Sequence, residues 1–259
     1  MAGVAERGVR RQRMTGLPWA LAAAAVLAQV GYPLTDGPTL RTLTVLTVVS
    51  FCAASLSHAW VHRGPRDALG MLAVTAGGGF LAEAVGARTG VPFGDYAYAG
   101  TLGPSLLGVP VVVPLAWTMM GYPAFVVARR LTQRAVPLVG GFALASWDLF
   151  LDPQMVAAGH WTWTHPSPDL PGVPGIPLTN YAGWFAVGLV MMVALDRLLP
   201  RHAGIDDRQP GVLFLWTWAG SVLGNLAFFG RPTVAVVGGV VMGLVAVPYA
   251  RSLLADRPR

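Results

Sequence analysis

The sequence predicts an all-α integral membrane protein with about eight transmembrane helices. Three observations predict this fold class: the composition, the lengths of the apolar runs and the distribution of arginine. Of 259 residues, 54% are hydrophobic and 12% are charged, whereas an average soluble domain has roughly 45–50% apolar and about 25% charged residues. The lipid bilayer is therefore the expected surrounding of most of the chain, which we expect to be a multi-pass protein of the cell membrane.

Seven apolar runs are long enough to cross the hydrocarbon core, which takes about 17–25 residues. They lie at 17–34, 40–60, 68–85, 109–128, 181–199, 211–229 and 233–250. A shorter eighth run, 136–151, stops at a pair of aspartates. The first run lacks a small-residue cleavage site, so we expect it to remain as the first helix rather than to act as a signal peptide. This gives a basic tail at 1–16, one transmembrane domain at 17–250 and a second tail at 251–259.

Arginine distinguishes the two sides of this arrangement. All 18 residues counted as Lys or Arg are arginine. With eight helices, only Arg41, Arg88 and Arg231 fall on one side and all the others on the opposite side. Because short cytoplasmic loops collect basic residues, both termini are expected in the cytoplasm. The same bias, together with anionic headgroups, explains the net charge of +6 without a nucleic-acid partner.

Two long loops fall on the arginine-poor side, at 86–108 and 159–180. Both are rich in glycine, proline and aromatic residues. Long loops without secondary structure are uncommon unless they bind something or are disordered, and the aromatic content argues against disorder. We expect the two loops to form a cap or re-entrant layer over the helix bundle.

Four acidic residues gather on that side of the membrane outside the solvated tails: Glu83, Asp95, Asp148 and Asp152. An ionisable group at membrane depth usually faces the bundle interior or a wet cavity, and it indicates a functional site. On a continuous helix, Asp148 and Asp152 would share one face with their Cβ atoms about 5–6 Å apart. Carboxylates this close resist joint ionisation, so one of the pair is expected to keep its proton.

Structural explanations compete with a catalytic one. Asp152 precedes Pro153, and this is a common pair at the first positions of a helix, so Asp152 would cap a new short helix at 153–158. Asp148 and Glu83 would instead form an internal ion pair, for which Arg88 is the nearest partner on that side.

Aromatic residues accompany the acids. With one asparagine, they are the candidate substrate-binding residues: Trp147, Trp161, Trp163, Trp184, Tyr96, Tyr98, Tyr181 and Asn180. An aromatic belt at the membrane interface explains any single ring, but as a group beside paired acids their faces could attract a cation. Asn180 and Asn225 are typical of hydrogen bonds between helices. His160 and His165 lack metal-ligand spacing, so neither a metal nor another cofactor is expected.

Three segments resemble a known family. They are EAVGARTGVPFGDYAYAGTLGPSLLGVPVVVPLAW (83–117), WDLFLDPQMVAAGHWTW (147–163) and GIPLTNYAGW (175–184). These segments are similar to the membrane carotenoid 1′,2′-hydratases of carotenoid biosynthesis, and the resemblance covers roughly 68–200. It implies addition of water, without a cofactor, to the terminal C1=C2 double bond of an acyclic carotenoid, which gives a tertiary alcohol. A lipophilic carotenoid and other enzymes of the pathway are the implied partners.

The paired acids suit the chemistry that the resemblance implies. An alkene is a weak base, so it must meet an undissociated acid. Protonation at C2 leaves a tertiary cation at C1, which aromatic faces stabilise, and a second carboxylate can then take a proton from water. We expect Asp148 to be the proton donor and Asp152 the base, with Glu83 and Asp95 as the next candidates for either role.

Three other functions stay open from the sequence. An intramembrane polyprenyl transferase would use Asp148 and Asp152 to hold Mg²⁺ and a diphosphate, although a second acidic motif is missing and the side is poor in arginine. A membrane lycopene cyclase would share the protonation step and end by ring closure or proton loss. A transporter or proton channel would also explain carboxylates within the membrane.

Overall fold

The computed structural model describes residues 16–201 and 204–255, together with the backbone of residues 2–15. Over this part of the chain the backbone forms eight helices. In chain order they are α1 (Ala2–Gly31), α2 (Gly37–Arg63), α3 (Pro65–Thr89), α4 (Val112–Leu131), α5 (Val136–Ala157), α6 (Leu178–Leu198), α7 (Arg208–Ala227) and α8 (Pro232–Ala255). The predicted all-α membrane fold is confirmed.

Six stretches of the described chain are long and apolar enough to cross a membrane: Gly16–Leu34, which contains the second half of α1, and the helices α2, α3, α4, α6 and α8. Helices α5 and α7 fall outside this group. Helix α5 carries Asp148 and Asp152, and α7 begins with Arg208 and Gln209. Both nevertheless pack within the bundle, α5 against α4, α6 and α8, and α7 against α8 and α4.

One predicted helix boundary is wrong. Helix α5 continues through Pro153 to Ala157, so Asp152 lies inside a continuous helix and does not cap a new one. At the N-terminus, the backbone is already helical at Ala2, where the sequence predicts a tail over 1–16. The side chains of that tail, including Arg7, Arg10, Arg11 and Arg13, lie outside the described residues, as do 256–259 of the predicted C-terminal tail.

Glycines bring α5 and α6 into close contact. A Cβ atom on Gly141 would lie 2.9 Å from the backbone nitrogen of Leu189, and one on Gly188 would lie 3.2 Å from Gly141. Small residues let membrane helices approach until their backbones touch. This approach brings the outer part of α5, where Asp148 and Asp152 lie, beside the first turn of α6.

Helix α3 has one wider turn, a π-helical segment at Ala73–Gly77. Just after it, Gly79 faces Trp117 of α4 so closely that a Cβ atom would lie 2.4 Å from the indole ring. The absence of a side chain at Gly79 lets the Trp117 ring lie against α3. Glu83 is four residues further along the same helix and therefore on the same face.

The two long loops fold into a layer of short antiparallel strands across one end of the bundle. The strands are β1 (Tyr96–Tyr98), β2 (Ser105–Leu106), β3 (Val109–Pro110), β4 (Trp161–Trp163), β5 (Asp169–Leu170) and β6 (Val173–Pro177). Strand β2 pairs with β3 and β5 with β6 within single loops, whereas β1 of the first loop pairs with β4 of the second. The two loops are thus joined to each other, as a cap over the bundle requires.

At the opposite end of the bundle, ion pairs of arginine link neighbouring helix ends and loops. Arg63 at the end of α2 pairs with Asp207 before α7, and Arg129 of α4 pairs with Asp196 of α6. The loops that the arginine pattern assigns to one side therefore meet at one end of the bundle.

Candidate active site

The Asp148 and Asp152 carboxyl groups lie together in the interior, with side-chain exposures of 0% and 2%. One amide bridges them, because Asn180 Nδ2 donates to Asp148 Oδ2 at 2.7 Å and to Asp152 Oδ2 at 2.5 Å. Trp161 Nε1 donates to the other oxygen of Asp152 at 3.0 Å. Asp148 Oδ1 is buried and has no hydrogen-bond partner among the described residues.

Glu83 is held by three neutral donors. Trp117 Nε1 donates to Glu83 Oε1 at 3.0 Å, while the hydroxyl groups of Tyr96 and Tyr98 donate to Oε2 at 2.5 Å and 2.7 Å. Burial raises the pKa of both tyrosine hydroxyls, so they keep their protons and act as donors. Three donors directed at one carboxyl group are the arrangement that suits a carboxylate.

The expected ion pair with Arg88 is not formed. The Arg88 guanidinium donates to the carbonyl oxygen of Ala84, one turn back in α3, at 3.3 Å. That structural explanation of Asp148 and Glu83 is therefore wrong. Within the described chain, the hydrogen-bond donors to the three buried carboxyl groups are one amide, two indoles and two phenols.

A cavity of about 60 Å³ lies beside these carboxyl groups, and aromatic and aliphatic side chains form most of the wall of this site cavity. Glu83, Asp152 and Asn180 reach its surface, whereas Asp148 does not line it. The aromatic residues of the wall are Phe93, Tyr96, Tyr98, Trp117, Trp161, Trp163 and Trp184. Trp117 and Trp184 stack with ring centroids 4.0 Å apart and planes 9° from parallel. The cavity therefore presents carboxyl groups and π faces to the same small volume.

The loop layer supplies much of this wall. Tyr96 stands opposite Trp163, and Tyr98 opposite Trp161, in the β1–β4 pair. The ring centroids of these two pairs lie 5.8 Å and 5.7 Å apart. Because β1 carries donors to Glu83 and β4 carries the donor to Asp152, the pairing of the loops fixes both sides of the site.

Some predicted site residues lie apart from the cavity. The Asp95 side chain is 65% exposed and lies 3.8 Å from His165. Tyr181 has a buried hydroxyl group without a partner in the described chain, and it does not line the site cavity. Trp147 packs edge-on against Trp184 with centroids 5.9 Å apart and lines a neighbouring cavity.

Two aromatic residues of the cavity were missed by the sequence reasoning, Phe93 and Trp117. Trp117 lies 34 positions after Glu83, in another helix, so no local spacing connects them. Phe93 packs against Tyr96, Trp117 and Trp184. Both lie in the first segment that carries the family resemblance, 83–117, and this was the signal that could have identified them.

The polar residues outside the cavity have other partners. His160 Nδ1 forms a hydrogen bond with Thr101 at 2.7 Å, and burial lowers the pKa of His160. Asn225 donates to the Ser221 carbonyl within its own helix rather than to another helix. No group of three or more His, Cys, Asp or Glu side chains lies close enough to hold a metal ion in the part of the chain that the structure describes.

The fold and the site define a multi-pass membrane protein that holds buried carboxyl groups against an aromatic cavity. The family model described as "Carotenoid biosynthesis protein" matches residues 41–246, and the chain belongs to this family. It is also similar to bisanhydrobacterioruberin hydratase of Haloarcula japonica, with 31% identity over 182 residues. That match covers 68% of this chain and 59% of the relative. No solved structure matches the chain. The resemblance found in the sequence is confirmed.

Proposed function

We propose that the protein adds water to the terminal C1=C2 double bond of an acyclic carotenoid end group, giving a tertiary alcohol, in the cell membrane. The observation that carries the proposal is the buried Asp148–Asp152 pair, bridged by Asn180 beside an aromatic cavity. Membership of the carotenoid biosynthesis family supports the substrate class. The name of the Haloarcula japonica relative supports hydration as the reaction.

Proton delivery is the first step of the proposed reaction. The two carboxyl groups share one amide donor and have no arginine partner, so the pair holds one proton more readily than two negative charges. Asp152 lines the site cavity, while Asp148 lies behind it. We therefore assign proton transfer to C2 to Asp152, with Asp148 as the partner that keeps it protonated. The donor proposed here is therefore Asp152, which the sequence suggested as the base.

The cation is stabilised in the second step. When the π electrons of the double bond take the proton at C2, C1 becomes a tertiary carbocation. The stacked Trp117 and Trp184 rings and the Phe93 ring beside them offer π faces. Such faces attract positive charge and are poor nucleophiles, so they stabilise the cation without trapping it.

Water enters in the third step, and Glu83 is the base. The water oxygen forms a bond to C1, and one of its protons passes to Glu83, directly or through the Tyr96 or Tyr98 hydroxyl group. Return of that proton to the aspartate pair restores the starting state. The sum is the addition of one water molecule with no net oxidation or reduction, so the balance requires neither nicotinamide nor flavin.

Expression in a host that accumulates lycopene or an acyclic fifty-carbon precursor tests the proposal, with mass spectrometry of the extracted pigments. A gain of one water per reacting end supports hydration. An isomer of unchanged mass would indicate a cyclase, and an unchanged pigment would contradict both activities and favour a transporter or proton channel. The Asp152→Asn protein, expressed at the same level, is the matched control.

A chelator experiment separates hydration from prenyl transfer. Purified protein treated with a chelator, without nicotinamide or flavin, is expected to convert the carotenoid at the untreated rate. Activity restored only by Mg²⁺ would instead indicate that Asp148 and Asp152 hold a metal ion and a diphosphate.

A further inference from the structure

A second, larger cavity lies beside the site, between α1, α2, α5 and α7. It encloses about 380 Å³, which lies within the range of about 300–1,000 Å³ that is typical of small-molecule sites. No charged side chain of the described residues lines it. One of its polar groups is already occupied, since Gln29 Oε1 accepts a hydrogen bond from Trp216 Nε1 at 2.7 Å. The cavity thus suits an apolar ligand.

The larger cavity adjoins the site cavity. Five residues line both spaces: Thr44, Val48, Ala116, Leu151 and Met155. Leu151 and Met155 lie on α5 immediately before and three residues after Asp152. A chain whose end lies at Asp152 can therefore continue along α5 into the larger cavity.

The mouth of the larger cavity is apolar. Leu34, Leu223 and Phe228 line the cavity and are 74%, 61% and 55% exposed. Large apolar side chains on the outside of a membrane bundle face lipid rather than water. The cavity therefore opens toward the bilayer, where an apolar ligand is dissolved.

We propose that the larger cavity binds the polyene chain of the carotenoid whose terminal double bond lies at Asp152. The identity of this ligand rests on the proposed function. Two features favour a polyene over a lipid acyl chain: the cavity shares five lining residues with the acid site, and planar rings stand along its wall, those of Trp147, Phe150, Trp216 and Phe229. A planar conjugated chain can lie flat against such rings.

Gly220 offers a way to fill this cavity without disturbing the carboxyl groups. It lies on α7 and lines the larger cavity, and a Cβ atom there would meet nothing closer than the Trp216 ring at 3.7 Å. Gly220→Leu therefore places a side chain in open space. Gly78→Leu on α3 is the matched control, because a Cβ atom there meets nothing within 4 Å and the residue lines neither cavity.

The test measures pigment that remains on the protein after purification in detergent from a carotenoid-accumulating host, by absorbance per mole of protein. Wild type, Gly78→Leu and Asp152→Asn are expected to retain pigment equally. Gly220→Leu is expected to retain about tenfold less and to form correspondingly less product. If Gly220→Leu does not accumulate, Ser221→Leu on the same wall replaces it.

The outcomes separate this inference from the proposed function. Normal pigment retention by Gly220→Leu would overturn the inference, as would a loss of bound phospholipid without a loss of pigment. Pigment retained by wild type without any hydrated product would contradict the proposed function and leave the cavity assignment intact.

Discussion

Acidic residues with side-chain partners occur at both ends of this helix bundle, but their partners and their burial differ. At the arginine-rich end, Arg63 Nη2 donates to both carboxyl oxygens of Asp207 at 2.7 Å and 2.8 Å, and Arg129 donates to Asp196 at 3.1 Å. At the end covered by the loops, Glu83, Asp148 and Asp152 accept hydrogen bonds only from neutral groups among the described residues. The same type of side chain is thus charge-compensated at one end and not at the other.

The difference between the ends follows from what each carboxyl group must do. Burial raises the pKa of Asp207, and the adjacent Arg63 opposes that rise. The ion pair links the end of α2 to the start of α7. An arginine beside Asp152 would hold it as a carboxylate and would repel a carbocation. Neutral donors fix the position of a carboxyl group without imposing its charge. Partner type and burial together separate the structural acids from the proposed catalytic ones, because the Asp207 and Asp196 side chains are 34% and 24% exposed whereas Asp152 is 2% exposed.

Topology mapping tests whether the two groups of acids lie on opposite sides of the membrane, and its signal is all or none. Reporter fusions after Arg134 and Arg208 are expected to report cytoplasm, and fusions within 86–108 or 159–180 are expected to report the opposite side. The physical reason is the arginine bias of the short loops. A cytoplasmic signal from 159–180 would contradict the separation of the two groups of acids across the membrane.

Replacing Asp152 is expected to have the largest effect on catalysis. Asp152→Asn keeps the shape but cannot supply a proton, so turnover should fall by about 10²–10⁴-fold. Both Asp152 oxygens accept hydrogen bonds, from Asn180 and Trp161, so the amide also loses one acceptor and a small fall in melting temperature is expected. Asp148→Asn should cause a comparable loss, because the pair can no longer share a proton. Near-normal hydration by either variant, measured by pigment mass spectrometry, would contradict the assignment and point to Glu83.

Replacing Arg63 at the arginine-rich end is expected to lower the stability of the protein rather than its turnover. Arg63→Leu leaves Asp207 and the Tyr122 hydroxyl without a donor, so the free energy of unfolding in detergent should fall by about 1–3 kcal/mol. Turnover per folded molecule should stay near the wild-type value. A large loss of turnover at normal stability would show that the arginine-rich end takes part in the reaction.

The smallest expected effect on turnover comes from removing one hydrogen-bond donor to Glu83, and it tests whether Glu83 is the base. Tyr98→Phe removes one of three donors to this carboxyl group, and loss of one hydrogen bond worth about 0.5–1.5 kcal/mol corresponds to a fall in rate of about 2- to 12-fold. Tyr96→Phe should lower the rate by a similar factor. The matched change Tyr181→Phe, at a residue that lines neither cavity, should leave the rate unchanged. Equal rates in all three variants would argue against Glu83 as the base.

The sequence predicted the fold and the acids better than it predicted their surroundings. Apolar runs and arginine placement locate helices because they reflect the solvent around each segment. Glu83, Asp148 and Asp152 stood out because a carboxyl group at membrane depth is costly. Asp95 did not join them, since its loop directs it outward. The end of α5 was misplaced because an Asp-Pro pair looks like a helix start, whereas the helix continues through Pro153 to Ala157.

The hydrogen-bond partners of the acids come from distant parts of the chain, and no sequence pattern predicted them. The Trp117 bond to Glu83 depends on the space that Gly79 leaves between α3 and α4. The Asn180 bridge depends on the approach of α5 and α6 at Gly141 and Gly188. Neither arrangement has a local periodicity, so the sequence could suggest these residue types but not their contacts.

The β1–β4 pair has a consequence for the biogenesis of the protein. It joins Tyr96 to Trp163 and Tyr98 to Trp161, residues that emerge from the ribosome far apart and on either side of two helices, α4 and α5. Until both loops have paired, Glu83 lacks its phenol donors and Asp152 lacks its indole donor. Synthesis of α4, α5 and the second loop therefore precedes completion of the site.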